Sequence, residues 1–232
     1  MTASVNLYDL LLESFGHQQW WPVDQRYHQR YGSDPRFEIM IGAILTQNTA
    51  WTNVEKALEN LKKQRIFTLQ AMTQIEEETL KSLIQPSGFF NQKAQRLKFF
   101  AAYLENSYEG NLQRFLSRDT SETRQELLSL KGIGPETADS ILLYAGNHPV
   151  FVVDAYTRRI CQRLPLLVQS DSYDDIQRFF EKELSTSLSK KELVPVYKEF
   201  HALLVQLAKQ YCSKKKPNCS ACPLNQLCKK LL

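Results

Sequence analysis

Nothing in this sequence marks it for a membrane, for export or for a repetitive assembly. No apolar run reaches the roughly 18 residues that a membrane-crossing helix needs. The N-terminus, MTASVNLYDLLLESF, is acidic and amphipathic, with neither a basic leader region nor a cleavage site, so no secretion signal is read there and a cytoplasmic protein is expected. Sequence repeats, low-complexity segments and convincing strand patterns are all missing, which argues against solenoids and sheet-based folds. The histidines, His17, His28, His148 and His201, form no recognisable ligand spacing. From Phe200 onward there is no Asp or Glu, whereas Lys209, Lys214, Lys215, Lys216, Lys229 and Lys230 are all present.

What is there reads as a helical, globular chain. Apolar residues make up 43% of 232, enough for a core in one body or in two close subdomains. A net charge of +4 permits nucleic-acid binding without demanding it. Apolar spacing predicts helices over 5–15, 52–64, near 68–74 and 76–84, and over 155–164, 173–185 and 193–211. Asp34-Pro35 opens another through 37–45, and Asn91 is the expected cap of a helix over 92–105. The fold class is all-α.

The chain is organised around residues 127–160. An apolar helix end (Leu127, Leu128, Leu130) runs into Lys131-Gly132-Ile133-Gly134-Pro135. Both glycines can take positive φ, and Pro135 is preset for a first helical turn, so a helix, a tight hairpin and a second helix ending at Gly146 are expected. Backbone amides of such a hairpin, with the helix N-terminus behind it, form a site for an anion such as phosphate. The loop Asn147-His148-Pro149 and the apolar run 150–153 follow, and then Asp154.

These residues resemble the helix-hairpin-helix, Gly/Pro-rich loop and aspartate signature of the endonuclease III superfamily of DNA glycosylases. LTQNTAW (45–51), PSGFFNQKAQRL (86–97), GIGPETADSIL and VVDAY are similar to the 3-methyladenine glycosylase III branch, and the matches span roughly 35–160. The resemblance implies an all-α, two-subdomain glycosylase. A barrel over 28–145 carries the hairpin (127–145), and the N-terminal segment 1–27 joins the C-terminal subdomain 146–232, with the active site in the cleft. Asp154 is then the catalytic carboxylate: cleaving an N-glycosidic bond builds positive charge on the sugar, which an ionised carboxylate stabilises while orienting water. As a plain helix cap, Asp154 would need no chemistry. Bifunctional members hold a Schiff-base lysine at the place matched here by Glu136, which cannot form an imine.

Four of the five cysteines follow the pattern Cys212-x6-Cys219-x2-Cys222-x5-Cys228. Such crowding without an export signal reads as a metal site, and spacing alone admits zinc or a [4Fe–4S] cluster. The spacing resembles the endonuclease III cluster loop, so a [4Fe–4S] cluster over 212–228 is expected, a departure from the 3-methyladenine branch. Lys214, Lys215 and Lys216 between the first two ligands, with Lys131, Gly132, Ile133 and Gly134 of the hairpin, are expected to contact DNA phosphates.

Trp20, Trp21, Trp51 and Glu136 are candidate lining for the base pocket, with Phe89 and Phe90 as further aromatics. A methylated, positively charged purine gains from aromatic faces, although the same rings would serve equally to dock helices. Gln47 or Asn48 is a candidate to fill the hole left by a flipped base, or simply a capping residue. The expected function is monofunctional removal of a damaged, alkylated base from double-stranded DNA by a monomer with no membrane partner. The alternatives are a bifunctional glycosylase and lyase on oxidised pyrimidines, a mismatch-specific glycosylase, or a DNA-binding protein without catalysis.

Overall fold

Side-chain caps set where many of the helices begin. Asp24, Asp34, Asn111, Asp119 and Asp154 each accept a hydrogen bond from an amide two or three residues on, satisfying a donor that the first turn leaves orphaned. The computed structural model describes residues 2–164 and 170–229, and every regular element among them is helical. In chain order these are α1 (Ala3–Phe15), α2 (Gln25–Tyr31), α3 (Pro35–Leu45), α4 (Trp51–Lys63), α5 (Leu69–Gln74), α6 (Glu77–Ile84) and α7 (Phe90–Tyr108). There follow α8 (Leu112–Leu116), α9 (Thr120–Ser129), α10 (Pro135–Ser140), α11 (Ala155–Arg163), α12 (Tyr173–Ser187) and α13 (Lys190–Gln210). A 3-10 turn (Gln85–Ser87) precedes α7, and a π turn (Ile141–Ala145) continues α10. None of the described helices is long and apolar enough to cross a membrane.

The chain forms two compact bodies, Trp21–Asn147 and Met1–Trp20 with His148–Leu232. The first is built on α3, apolar on nearly every side and packed against α4, α7, α10 and the π turn. One buried charge interrupts that helix. Glu38 is answered by His28 Nε2 at 2.6 Å and by Lys62 Nζ at 2.9 Å, the partnering that a buried carboxylate requires. His28 comes from α2, an element that apolar spacing does not reveal because its outer positions are polar; Asp24 and Gly32 at its ends were the available signal. In the second body α13 packs on α1, α11 and α12, around a core where Phe151 stacks on Phe180 at 4.6 Å beside Tyr197 and Phe200.

Three expectations are corrected. Asn91 does not cap α7: the helix begins at Phe90, and its N-cap is Phe89, in the left-handed region with no side-chain hydrogen bond. The last long helix starts at Lys190 rather than Leu193, because Ser189 and Glu192 form a capping box that sequence apolarity hides and Pro195 is tolerated near the start. Of the hairpin glycines only Gly132 has positive φ (+87°); Gly134 is an ordinary extended N-cap at φ −96°.

Candidate active site and DNA interface

The hairpin is held from behind by side chains. The Gln47 amide donates to the Gly132 carbonyl and to Thr137 Oγ1, both at 2.9 Å, and the Arg96 guanidinium donates to Gln47 Oε1. Arg96 also lies so close to Gly132 that a Cβ there would collide with it. Gly132 is therefore required twice, by its φ and by the space it leaves. The Ile133 amide is spent on the Leu130 carbonyl at 3.1 Å and its side chain is buried, whereas a Cβ on Gly134 would meet nothing within 4 Å. Lys131 and Glu136 are exposed. On the other side of the hairpin, Arg124 grips the buried Asp139 of α10 with two hydrogen bonds, at 2.7 and 3.0 Å.

The polar side chains of Gln47 and Asn48 part company. That of Gln47 is engaged inward, while Asn48 is exposed at the tip of the turn with φ +55°. Buried Lys93 anchors this turn from below. Its ammonium donates to the carbonyls of Leu45 (2.8 Å) and Ser87 (2.7 Å), and burial followed by the nearby Arg96 charge lowers its pKa to about 8. The same lysine thereby fixes the 3-10 turn next to Phe89, which is 63% exposed at φ +45°, a conformation costly for a bulky residue.

In the other body, a stripe of α12 holds the backbone that leads to Asp154. The Phe151 amide donates to Glu181 Oε1 (2.9 Å), Gln177 Nε2 donates to the Phe151 carbonyl (2.7 Å), and the Val153 amide donates to the Tyr173 hydroxyl (3.4 Å). These α12 residues are spaced by four, so they share one helix face. Asp154 then caps α11, its Oδ1 accepting from the Thr157 amide at 2.7 Å, while its Oδ2 lies 3.6 Å from His201 Nε2. Burial pushes the Asp154 carboxyl up, but His201 and the Thr157 contacts outweigh it and hold the group below the usual carboxylate range. Cys161, on the same helix, is buried, and burial pushes its thiol up to about 12, which makes it inert.

Cys212, Cys219, Cys222 and Cys228 line one small cavity together with Arg163, Tyr211, Pro217 and Asn225. None of the four is in a disulfide, and the Cys222 thiol is pushed up by burial and then by the other three sulfurs. Among the described residues, no three His, Cys, Asp or Glu side chains are arranged to hold a metal ion. α11 braces this loop: Arg159 Nε donates to the Cys212 carbonyl (2.8 Å), and Arg163 donates to Cys212 Sγ (3.3 Å) and to the Ser213 carbonyl (2.8 Å). Lys214, Lys215 and Lys216 are exposed on the loop, and Lys230 lies outside the described residues.

The family model of the HhH-GPD superfamily base excision DNA repair proteins matches residues 41–186, which include the hairpin and Asp154. The chain belongs to that superfamily. It is 43% identical to a candidate DNA repair glycosylase of Methanocaldococcus jannaschii, over 96% of this chain and 94% of the relative. The solved H. pylori 3-methyladenine DNA glycosylase, bound to 1,N6-ethenoadenine, is 30% identical with a TM-score of 0.72, over 89% of this chain and 97% of that one. An endonuclease III–DNA complex shares the fold at 21% identity and a TM-score of 0.74, over 99% of this chain and 97% of that one. The protein is thus a DNA glycosylase of the endonuclease III superfamily, with a 3-methyladenine glycosylase III-like branch as its resemblance.

Among the aromatic candidates of the glycosylase, Trp21 and Trp51 meet edge to face at 5.1 Å, and Trp21 also lies 5.3 Å from the ring of Tyr144, which sequence reasoning missed. Trp21 sits over Gly42 of α3, where a Cβ would approach its ring to 2.8 Å. Trp20 is half-buried and belongs to the other body. Also missed were His201 and the Tyr173, Gln177 and Glu181 stripe. A buried glutamine on an otherwise apolar helix face was the one signal available for the stripe.

Proposed function

We propose that this glycosylase is monofunctional and hydrolyses the N-glycosidic bond of a damaged base, an alkylated purine first among them. The observation that carries the reading is the pairing of an ionised, mostly buried carboxylate at Asp154 with a glutamate, not a lysine, at position 136. Asp154 stabilises the positive charge that develops on the sugar and orients the attacking water. Glu136 has no amine with which to form an imine and lies on the first turn of α10, where it favours the positive end of the helix.

DNA is gripped by backbone and lysine contacts. The open Gly134 and the exposed Lys131 meet one phosphate run, and Lys214, Lys215 and Lys216 meet another. Exposed Asn48 is better placed than Gln47 to enter the space of the flipped base, because the Gln47 amide is engaged with the hairpin. Phe89, strained and exposed, supplies a face that stacks between bases. Trp21, Trp51 and Tyr144 provide the electron-rich surroundings that favour a cationic alkylated purine, a preference consistent with the likeness to a 3-methyladenine glycosylase.

Cys212, Cys219, Cys222 and Cys228 are proposed to hold a [4Fe–4S] cluster, a reading supported by their lining of one small cavity and by a spacing that resembles the endonuclease III cluster loop. The cluster would serve as a structural staple for the lysine loop. The function is tested by incubating the protein with duplexes bearing alkylated, deaminated, oxidised or mismatched bases and scoring released base separately from strand breaks. Release of a methylated purine with unbroken strands is expected, and no release from any of them would overturn the reading.

A further inference from the structure

The carboxylate assigned to catalysis has a neighbour that neither the hairpin nor the aspartate motif contains. Asp154 Oδ1 is taken by the Thr157 amide of its own helix, which leaves Oδ2 to the imidazole of His201 on α13. Both side chains are largely withdrawn from water, 12% exposed for Asp154 and 9% for His201, so their interaction is weakly screened. The ring cannot readily swing away: His201 stands on the buried face of α13 between Tyr197, Phe200 and Leu204, with Leu207 beyond them. We propose that His201 is a positioning residue for Asp154, a buried imidazole whose Nε2 faces the second carboxylate oxygen at an ion-pair distance of 3.6 Å. The proposal rests on the reading of Asp154 as the catalytic carboxylate.

The geometry supports the assignment in two respects. A carboxylate hydrogen-bonded at one oxygen only can still turn its other oxygen out of line, and an imidazole 3.6 Å from Oδ2, too far for a hydrogen bond, biases that turn through charge and space. The groups that bear on its charge are His201 from α13 and the amide and hydroxyl of Thr157 from α11, working against burial. Thr157 alone is the ordinary equipment of any helix cap. The imidazole is the added component, and it can carry the charge that a merely structural cap does not need.

Two readouts test this on the full-length protein. The first needs no activity: the ring resonances of His201 are recorded by NMR at one neutral pH in the wild type and in Asp154→Asn. Asparagine caps a helix about as well as aspartate, so the fold should persist while the negative charge is lost. Displaced His201 ring resonances in Asp154→Asn are expected, and unchanged resonances overturn the pair. The second readout is base release from a duplex methylated with dimethyl sulfate. His201→Gln should lower kcat and move the acid limb of its pH profile upward, with KM and binding to a tetrahydrofuran abasic analogue unaltered. If Asp154→Asn retains release, the catalytic reading of Asp154 fails, and the positioning role fails with it. If Asp154→Asn abolishes release while His201→Gln changes neither kcat nor the acid limb, only the positioning role falls. Should His201→Gln fail to fold, or should the methylated duplex prove not to be a substrate, the NMR comparison still decides whether the pair exists.

Discussion

Asp154 caps α11 and is proposed to act in the chemistry, and a single substitution separates the two tasks. Asn at this position keeps the hydrogen bond to the Thr157 amide, so Asp154→Asn removes charge more than it removes structure. Base release should fall by about 10²–10³-fold, the usual cost of losing one preorganised electrostatic contact, while binding to abasic-site DNA persists. Near-normal turnover would reduce Asp154 to a helix cap. The pH dependence has a definite sign. Because the folded carboxyl lies below its ordinary value, its charge and its contribution to stability are fully present above the unfolded pKa of about 4 and are lost as pH falls through the lowered folded value. Release attributable to Asp154 should be flat through neutrality and decline only in acid. Its cap position was legible in the sequence, as an Asp directly before a helical pattern. His201 was not, since it stands far along the chain in a helix whose apolar face looks complete without it.

Between helices, the hairpin gives the sharpest contrast. Gly132→Ala faces both a φ of +87° and the Arg96 side chain, and should lower stability by about 1 kcal/mol or more. Gly134→Ala meets open space at an ordinary φ and should leave the melting temperature nearly unchanged, weakening abasic-site DNA binding instead because its methyl group would stand where a phosphate is proposed to approach. Thermal melts and binding isotherms of the two variants check this, and the reverse order of effects would contradict the assigned roles. The GxG spacing, Pro135 and the apolar positions of α10 made the hairpin readable. The different demands on its two glycines were not, because φ is set partly by Arg96 and Gln47, which lie on other elements. Phe89 illustrates the same limit. Its residue type suggested a pocket wall, but the turn that Lys93 anchors leaves it exposed. The all-helical class and most helix positions followed from periodicity and caps; α2 and the early start of α13 did not, since polar outer positions and Pro195 blur the pattern there.

Over the whole molecule, the cysteine loop and the chemistry make independent demands. Protein prepared without oxygen should be yellow-brown and contain about four irons, and Cys219→Ser should lose iron and weaken DNA binding more than it slows chemistry. Stoichiometric zinc without iron or sulfide would overturn the cluster. The reaction is tested most directly by borohydride trapping on abasic-site DNA, because an imine between protein and C1′ is the one intermediate that a lyase must form and a hydrolytic glycosylase does not. With a glutamate at position 136, which the resemblance matches to the Schiff-base lysine, little or no protein should become covalently attached to the DNA, and the strand should remain intact until treated with alkali. Efficient trapping by the wild type, above all if Lys131→Ala abolished it, would contradict the monofunctional reading.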